Sequence, residues 1–212
     1  MEHIPVLLEA CIEGLNIKPD GVYVDGTLGR GSHAREIARR LEGGRLIGID
    51  ADADAIDEAG HTLRSWRDKV TLVRGNFRDI GDILDRLGVG TADGMLFDLG
   101  VSSPQLDNAA RGFSYRTDAP LDMRMDERAT LSAYDIVNGW PEEELARILR
   151  DWGEERYASR IAARIVRRRE TKRIATTLEL VDIIREAMPA RSLREKQHPA
   201  KRSFQAIRIA VN

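Results

Sequence analysis

The chain has 212 residues, of which 42% are hydrophobic and 32% charged, with a formal net charge of −2. No apolar run approaches the roughly 20 residues that cross a bilayer, Met1-Glu-His lacks the basic start of a secretory signal, and one cysteine excludes an internal disulfide. These features point to a cytoplasmic protein without a membrane partner. The near-neutral total hides an asymmetry: residues 147–212 hold 17 Lys+Arg and 8 Asp+Glu, leaving 16 and 27 for residues 1–146. The basic third either meets a polyanion or presents solvated helix faces.

Pro5–Leu15 is patterned as a short amphipathic helix and is followed by a Lys18-Pro-Asp-Gly21 turn. Val22-Tyr-Val24 predicts a buried strand that stops at Asp25. Gly26, Gly29 and Gly31 form a turn open to a ligand, and Ser32–Leu41 has helical spacing. A strand, a glycine turn and a helix aim backbone N–H groups at one cavity suited to a nucleotide-bearing cofactor. Gly29-x-Gly31-x-x-Ala34 also satisfies a dinucleotide fingerprint, which keeps an NAD-dependent oxidoreductase as an alternative. Against it, Asp25 would repel a pyrophosphate but hold an ammonium group, such as that of S-adenosylmethionine.

Arg45–Asp50 is a second strand ending on an acid. Asp50 lies 19 residues after Gly31, the interval at which a carboxylate meets a ribose hydroxyl pair; capping a helix over Asp52–Trp66 is its other reading. Val70–Asn76 is the third strand, and Phe77 after it either stacks on an adenine or packs in the core. Ile80–Leu87 reads as a helix and Gly94–Asp98 as a fourth strand. Strands alternating with helices predict an α/β fold with a parallel sheet, whose ligands lie beyond the strands' carboxyl ends. Asp25, Asp50, Phe77 and Asp98 all fall there.

Leu99–Asp107 reads as a loop, and Asn108–Asp126 as an irregular segment. In it Phe113, Tyr115, Met123 and Met125 are core plugs or a substrate wall. Helical patterns cover Pro141–Trp152, Glu154–Arg169, Thr176–Met188 with Thr176 as N-cap, and Pro199–Val211, with no strand signal after Phe97. Arg156, Arg160, Arg164 and Arg167 would form one basic stripe suited to RNA phosphates. The four histidines are scattered, giving no metal site, and nothing fixes an oligomeric state.

Several segments together resemble the ribosomal RNA small-subunit methyltransferase H family. They are His3-x-Pro-Val-Leu-Leu-Glu9, Val24-Asp-Gly-Thr-x-Gly-Arg-Gly-x-His33, Asp98-Leu-Gly-Val-Ser-Ser-Pro-Gln-Leu-Asp107, Arg111-Gly-Phe-Ser114, Pro120-Leu-Asp-Met-Arg-Met125, Gly153-Glu-Glu-Arg156 and His198-Pro-Ala-x-Arg-x-Phe-Gln-Ala-x-Arg-Ile209. The resemblance implies a class I, Rossmann-like S-adenosylmethionine-dependent methyltransferase domain (1–106 and 199–212) with an inserted all-helical domain (107–198). It implies methylation of N4 of a cytidine in 16S rRNA of the small ribosomal subunit. Gly31, Ser32, His33, Asp50, Phe77, Asp98 and Gln105 would be cofactor contacts by resemblance; Asp25 and Gly29 join them from the loop geometry. Family members run on for roughly another third, so the resemblance implies that C-terminal strands are absent from this chain, and a non-catalytic ribosome-binding fragment is a further alternative.

Ser103-Pro104-Gln105-Leu106 partly matches the prolyl loop of amino-methyltransferases. Asp98 with Ser102, Ser103 and Pro104 is therefore expected to receive the amine, with Phe113 or Tyr115 stacking on the base. For Asp98, contact with the cofactor alone is the other reading.

Overall fold

The computed structural model describes residues 7–212; His3 and the Pro5-Val6 start of the first predicted helix lie outside them. The chain divides into two compact units, Met1–Gly100 and Val101–Asn212.

The first unit runs α1 (Leu8–Leu15), β1 (Val22–Asp25), α2 (Ser32–Ala38), β2 (Arg45–Asp50), α3 (Ala53–Thr62), β3 (Val70–Arg74), α4 (Ile80–Arg86) and β4 (Gly94–Leu96). The strands are parallel in the order β3-β2-β1-β4. The chain winds outward from β1 to β3 and then returns to the other side of β1, so the winding direction reverses between β1 and β4. In sheets of this kind that reversal opens a crevice at the carboxyl ends of the strands. Alternation along the strands covers both faces. Tyr23 and Leu46 pack with Ile37, Ala38 and Leu41 on one side. Val24, Ile47 and Ile49 pack with Ile83 and Leu84 on the other. Each such aliphatic side chain contributes about 1.5–3 kcal/mol by leaving water. On the edge strand β4, Met95 remains 44% exposed.

The second unit holds α5 (Ser103–Asp107), α6 (Ala133–Gly139), α7 (Glu142–Asp151), α8 (Ala158–Thr171), α9 (Thr177–Ala187) and α10 (Lys201–Val211). Leu145, Ile148 and Leu149 of α7, Ile161 and Ile165 of α8, and Leu180 and Ile184 of α9 recur at helical spacing and close one core. Phe113 and Met123 are buried in it, which settles them as core residues; Phe113 offers no face to a base. Phe204, Ala206 and Ile207 place α10 in the same core, whereas residues 199–212 are expected from sequence to rejoin the sheet domain. Thr176 caps α9 in a reciprocal capping box with Glu179.

Two predicted boundaries shift for local reasons. α8 starts at Ala158 rather than Glu154, because Glu154 has φ +53°, left-handed backbone that no helix accommodates. The Glu155 N–H then turns back to the Leu149 carbonyl at 3.0 Å. Arg156 therefore stands off the helix. The Leu99–Asp107 loop contains the short helix α5, opened by a capping box between Ser102 and Gln105.

Candidate active site

Asp25, the last residue of β1, is 1% exposed, and its Oδ1 accepts the Thr27 N–H at 3.2 Å. Burial drives its carboxyl up to about 7. The Asp50 and Asp98 carboxylates push the same way, against the Thr27 hydrogen bond. The strand register accounts for this convergence. Asp25 pairs with Gly48 of β2 and Leu96 of β4, so Asp50 and Asp98 each lie two residues beyond its neighbours. The three acids share one rim, and Asp50 and Asp98 act on Asp25 with its own sign of charge.

Asp50 is held by the loops on either side of it. Its Oδ2 accepts the Gly29 N–H at 2.8 Å and its Oδ1 the Asp52 N–H at 2.9 Å. Burial raises its carboxyl, and those amides oppose the rise. The cap of α3 is Asp52, whose side chain accepts the Asp54 N–H, so Asp50 is not spent on capping that helix. Gly29 (φ +51°) and Gly31 (φ +78°) both take left-handed backbone, which favours glycine. Gly31 sits at the N-cap of α2, ahead of Ser32 and a largely buried His33.

Beyond β3 and β4 two aromatic rings meet. Phe77 and Phe97 lie edge to face at 5.7 Å, each 41% exposed. Phe77 is therefore a rim residue and not a core plug. Phe97 is a rim residue that the sequence pattern does not single out: it covers Gly26, where a Cβ would come within 2.3 Å of the ring. Thr27 is the second such residue. Its Oγ1 accepts the Asp98 N–H at 2.6 Å, tying the loop after β1 to the loop after β4. The first unit thus brings Asp25, Gly29, Gly31, Ser32, His33, Asp50, Phe77 and Asp98 to the carboxyl end of one sheet.

The other expected site residues belong to the second unit. The Gln105 Oε1 accepts the Ser102 N–H at 3.1 Å, while Ser103 and Pro104 form the first turn of α5. The expected four-arginine stripe is broken. Arg160 and Arg167 are exposed on α8, Arg164 pairs with Glu186 of α9, and Arg156 precedes the helix. Among the described residues no His, Cys, Asp or Glu group could hold a metal ion, and no helix is long and apolar enough to cross a membrane.

A family model described as the MraW methylase family matches residues 1–212. The protein named ribosomal RNA small subunit methyltransferase H from Brevibacillus brevis is 58% identical over 211 residues, covering 99% of this chain and 67% of its own length. Its namesake from Symbiobacterium thermophilum is 57% identical, covering 99% and 66%. The chain thus spans about two thirds of the length of these relatives. Among solved structures, a putative rRNA-methylase from Clostridium thermocellum aligns with a TM-score of 0.41 at 24% identity, over 47% of this chain and 54% of that one.

Proposed function

The chain belongs to the MraW methylase family, and from that premise we propose that it is the cofactor-binding and substrate-recognising part of an S-adenosylmethionine-dependent enzyme that methylates a cytidine N4 in 16S rRNA of the small ribosomal subunit. The observation that carries the cofactor reading is the convergence of Asp25, Asp50 and Asp98 at one sheet end, where burial raises the Asp25 carboxyl and the two like charges add to the rise. A ligand bearing ammonium and sulfonium cations relieves that repulsion, whereas the pyrophosphate of a nicotinamide dinucleotide would add to it.

In this reading Asp50, oriented by the Gly29 and Asp52 amides, accepts the ribose hydroxyls. Phe77 offers its exposed ring to the adenine, and Gly29, Gly31, Ser32 and His33 shape the loop around the methionine moiety. Asp25 faces the ligand's positive end, and Gln105 is a further cofactor contact. Bound S-adenosylmethionine supplies an electrophilic methyl group. The cytosine amine is a weak nucleophile, because its lone pair is delocalised into the ring. Asp98 and the Ser102-Ser103-Pro104 backbone accept its N–H bonds and turn the lone pair toward the methyl; as the N–C bond forms and the methyl–sulfur bond breaks, leaving the thioether, Asp98 takes up the proton released by the amine. Arg160 and Arg167 give phosphate contacts on α8, with Arg156 and Arg164 as flanking charges.

Methyl transfer from radiolabelled S-adenosylmethionine to small ribosomal subunits lacking the modification tests the reading. Label is expected in 16S rRNA at a cytidine N4. Asp98→Ala is expected to abolish transfer while cofactor affinity changes by no more than a few fold, and normal turnover by that variant overturns the assignment.

A further inference from the structure

Three stretches come together in the helical unit, of which the proposed function uses only Arg156, as a flanking charge: the Tyr115 region, Gly153-Glu-Glu-Arg156 and His198-Pro-Ala200. The Tyr115 and His198 rings stack at 4.4 Å and 16°. Tyr115 is braced edge-on by Phe204 of α10 at 5.7 Å, a core residue 3% exposed. The His198 Nδ1 accepts the Ala200 N–H at 3.2 Å, which leaves the ring proton on Nε2. Burial, with Arg185 and Arg116 nearby, holds the imidazole below its ordinary value, so the ring is neutral at pH 7. His198 lines a small cleft together with Glu155, Arg156, Tyr157, Ser192 and Arg202. Tyr115 is not part of that lining, and His198 is half-buried rather than enclosed.

We propose that this cleft docks one nucleotide of single-stranded RNA, its base stacked on His198 and its phosphate beside Arg156. The proposal rests on the RNA-substrate reading above and adds a recognition site to it. A rigid ring rimmed by arginines is the chemistry that single-stranded RNA engages, through stacking and backbone charge. The cleft measures about 30 Å³, the share of one water molecule in the liquid. The base therefore lies on its mouth, and only a small polar group enters. Inside, Glu155 is 4% exposed and accepts the Tyr157 amide at 3.0 Å through Oε1, while the Tyr157 and Ser192 hydroxyls bond each other at 2.7 Å. A buried carboxylate suits a donor such as a base amino group or a ribose hydroxyl, and it disfavours a bare anion.

The test is equilibrium binding of a single-stranded RNA of about ten nucleotides bearing 2-aminopurine to the full chain. Wild type, His198→Ala, His198→Phe and Arg156→Ala are compared, with thermal melts on each. Both His198 variants lose the acceptor for the Ala200 amide, so the difference between them reads the ring alone. His198→Ala is expected to weaken binding about tenfold or more and to abolish 2-aminopurine quenching, and His198→Phe to restore both to within about threefold. Arg156→Ala is expected to lower the salt dependence, and inorganic phosphate not to displace the RNA. Unchanged affinity and quenching in a folded His198→Ala overturn the cleft proposal and leave the RNA reading intact, as does displacement by phosphate. Binding of S-adenosylmethionine with no binding of any RNA overturns both.

Discussion

Replacing Asp25 by Asn tests the acidic rim through stability as well as through binding. A free aspartate titrates near 3.8, and burial with like-charged neighbours lifts Asp25 in the folded chain to about 7. Between those two pH values the folded state holds a proton that the unfolded state has released, so stability falls as pH rises through the window. The full cost is reached above pH 7. At 1.36 kcal/mol per pH unit it amounts to at most about 4 kcal/mol. Asparagine removes the charge and keeps a carbonyl oxygen to accept the Thr27 N–H. Asp25→Asn is therefore expected to melt higher than wild type at pH 8, by on the order of 10 °C for a chain of this size. The gap is expected to shrink by more than half at pH 5, where wild-type Asp25 is largely protonated. Calorimetric melts of both proteins between pH 5 and 8 measure it. The same variant is expected to bind S-adenosylmethionine more weakly at pH 8, because the cationic ligand favours the ionised carboxylate it lacks. A variant that melts at or below wild type at pH 8, with the same slope against pH, refutes the reasoning.

Asp50→Asn keeps the size of the side chain and removes the charge that the Gly29 and Asp52 amides orient; the dissociation constant for S-adenosylmethionine, read by isothermal titration, is expected to rise about 100-fold. Gly112→Ala forces a Cβ to 2.3 Å from the Pro120 carbonyl at a φ of +69°, so denaturant melts are expected to show a loss of about 2 kcal/mol or more. Arg160→Ala and Arg167→Ala are each expected to lower the slope of log affinity for RNA against log salt by about 1. Arg164→Ala is expected to do less, since that side chain already pairs with Glu186. Filter binding at several salt concentrations measures all three.

The sheet and its rim were legible because their signals are local. Each buried strand ends on an acid or a glycine turn, and those endings place Asp25, Asp50 and Asp98 beyond the same sheet edge without any long-range information. The capping box that opens α5 is also local: Ser102 and Gln105 stand three apart, within the same residues that resemble a prolyl loop. Other features depend on residues far apart in the chain. Nothing in Arg160-x-x-x-Arg164 announces that Glu186 on the next helix claims the second arginine. The left-handed backbone of Glu154 lies beside a close approach at Gly153, where a Cβ would meet the Arg202 carbonyl at 2.6 Å, a contact between residues about 50 apart. The same kind of packing hides Phe97, whose place over Gly26 brings together residues about 70 apart. α10 went to the helical unit because Phe204 and Ile207 fit a core whose shape periodicity does not describe.

A crystal structure of this chain with S-adenosylhomocysteine tests the central claim most directly. The account predicts the ribose hydroxyls on the Asp50 carboxylate, the adenine beside Phe77 and the amino-acid end toward Asp25. A ligand bound elsewhere, or lying in the rim with its sugar remote from Asp50, contradicts it.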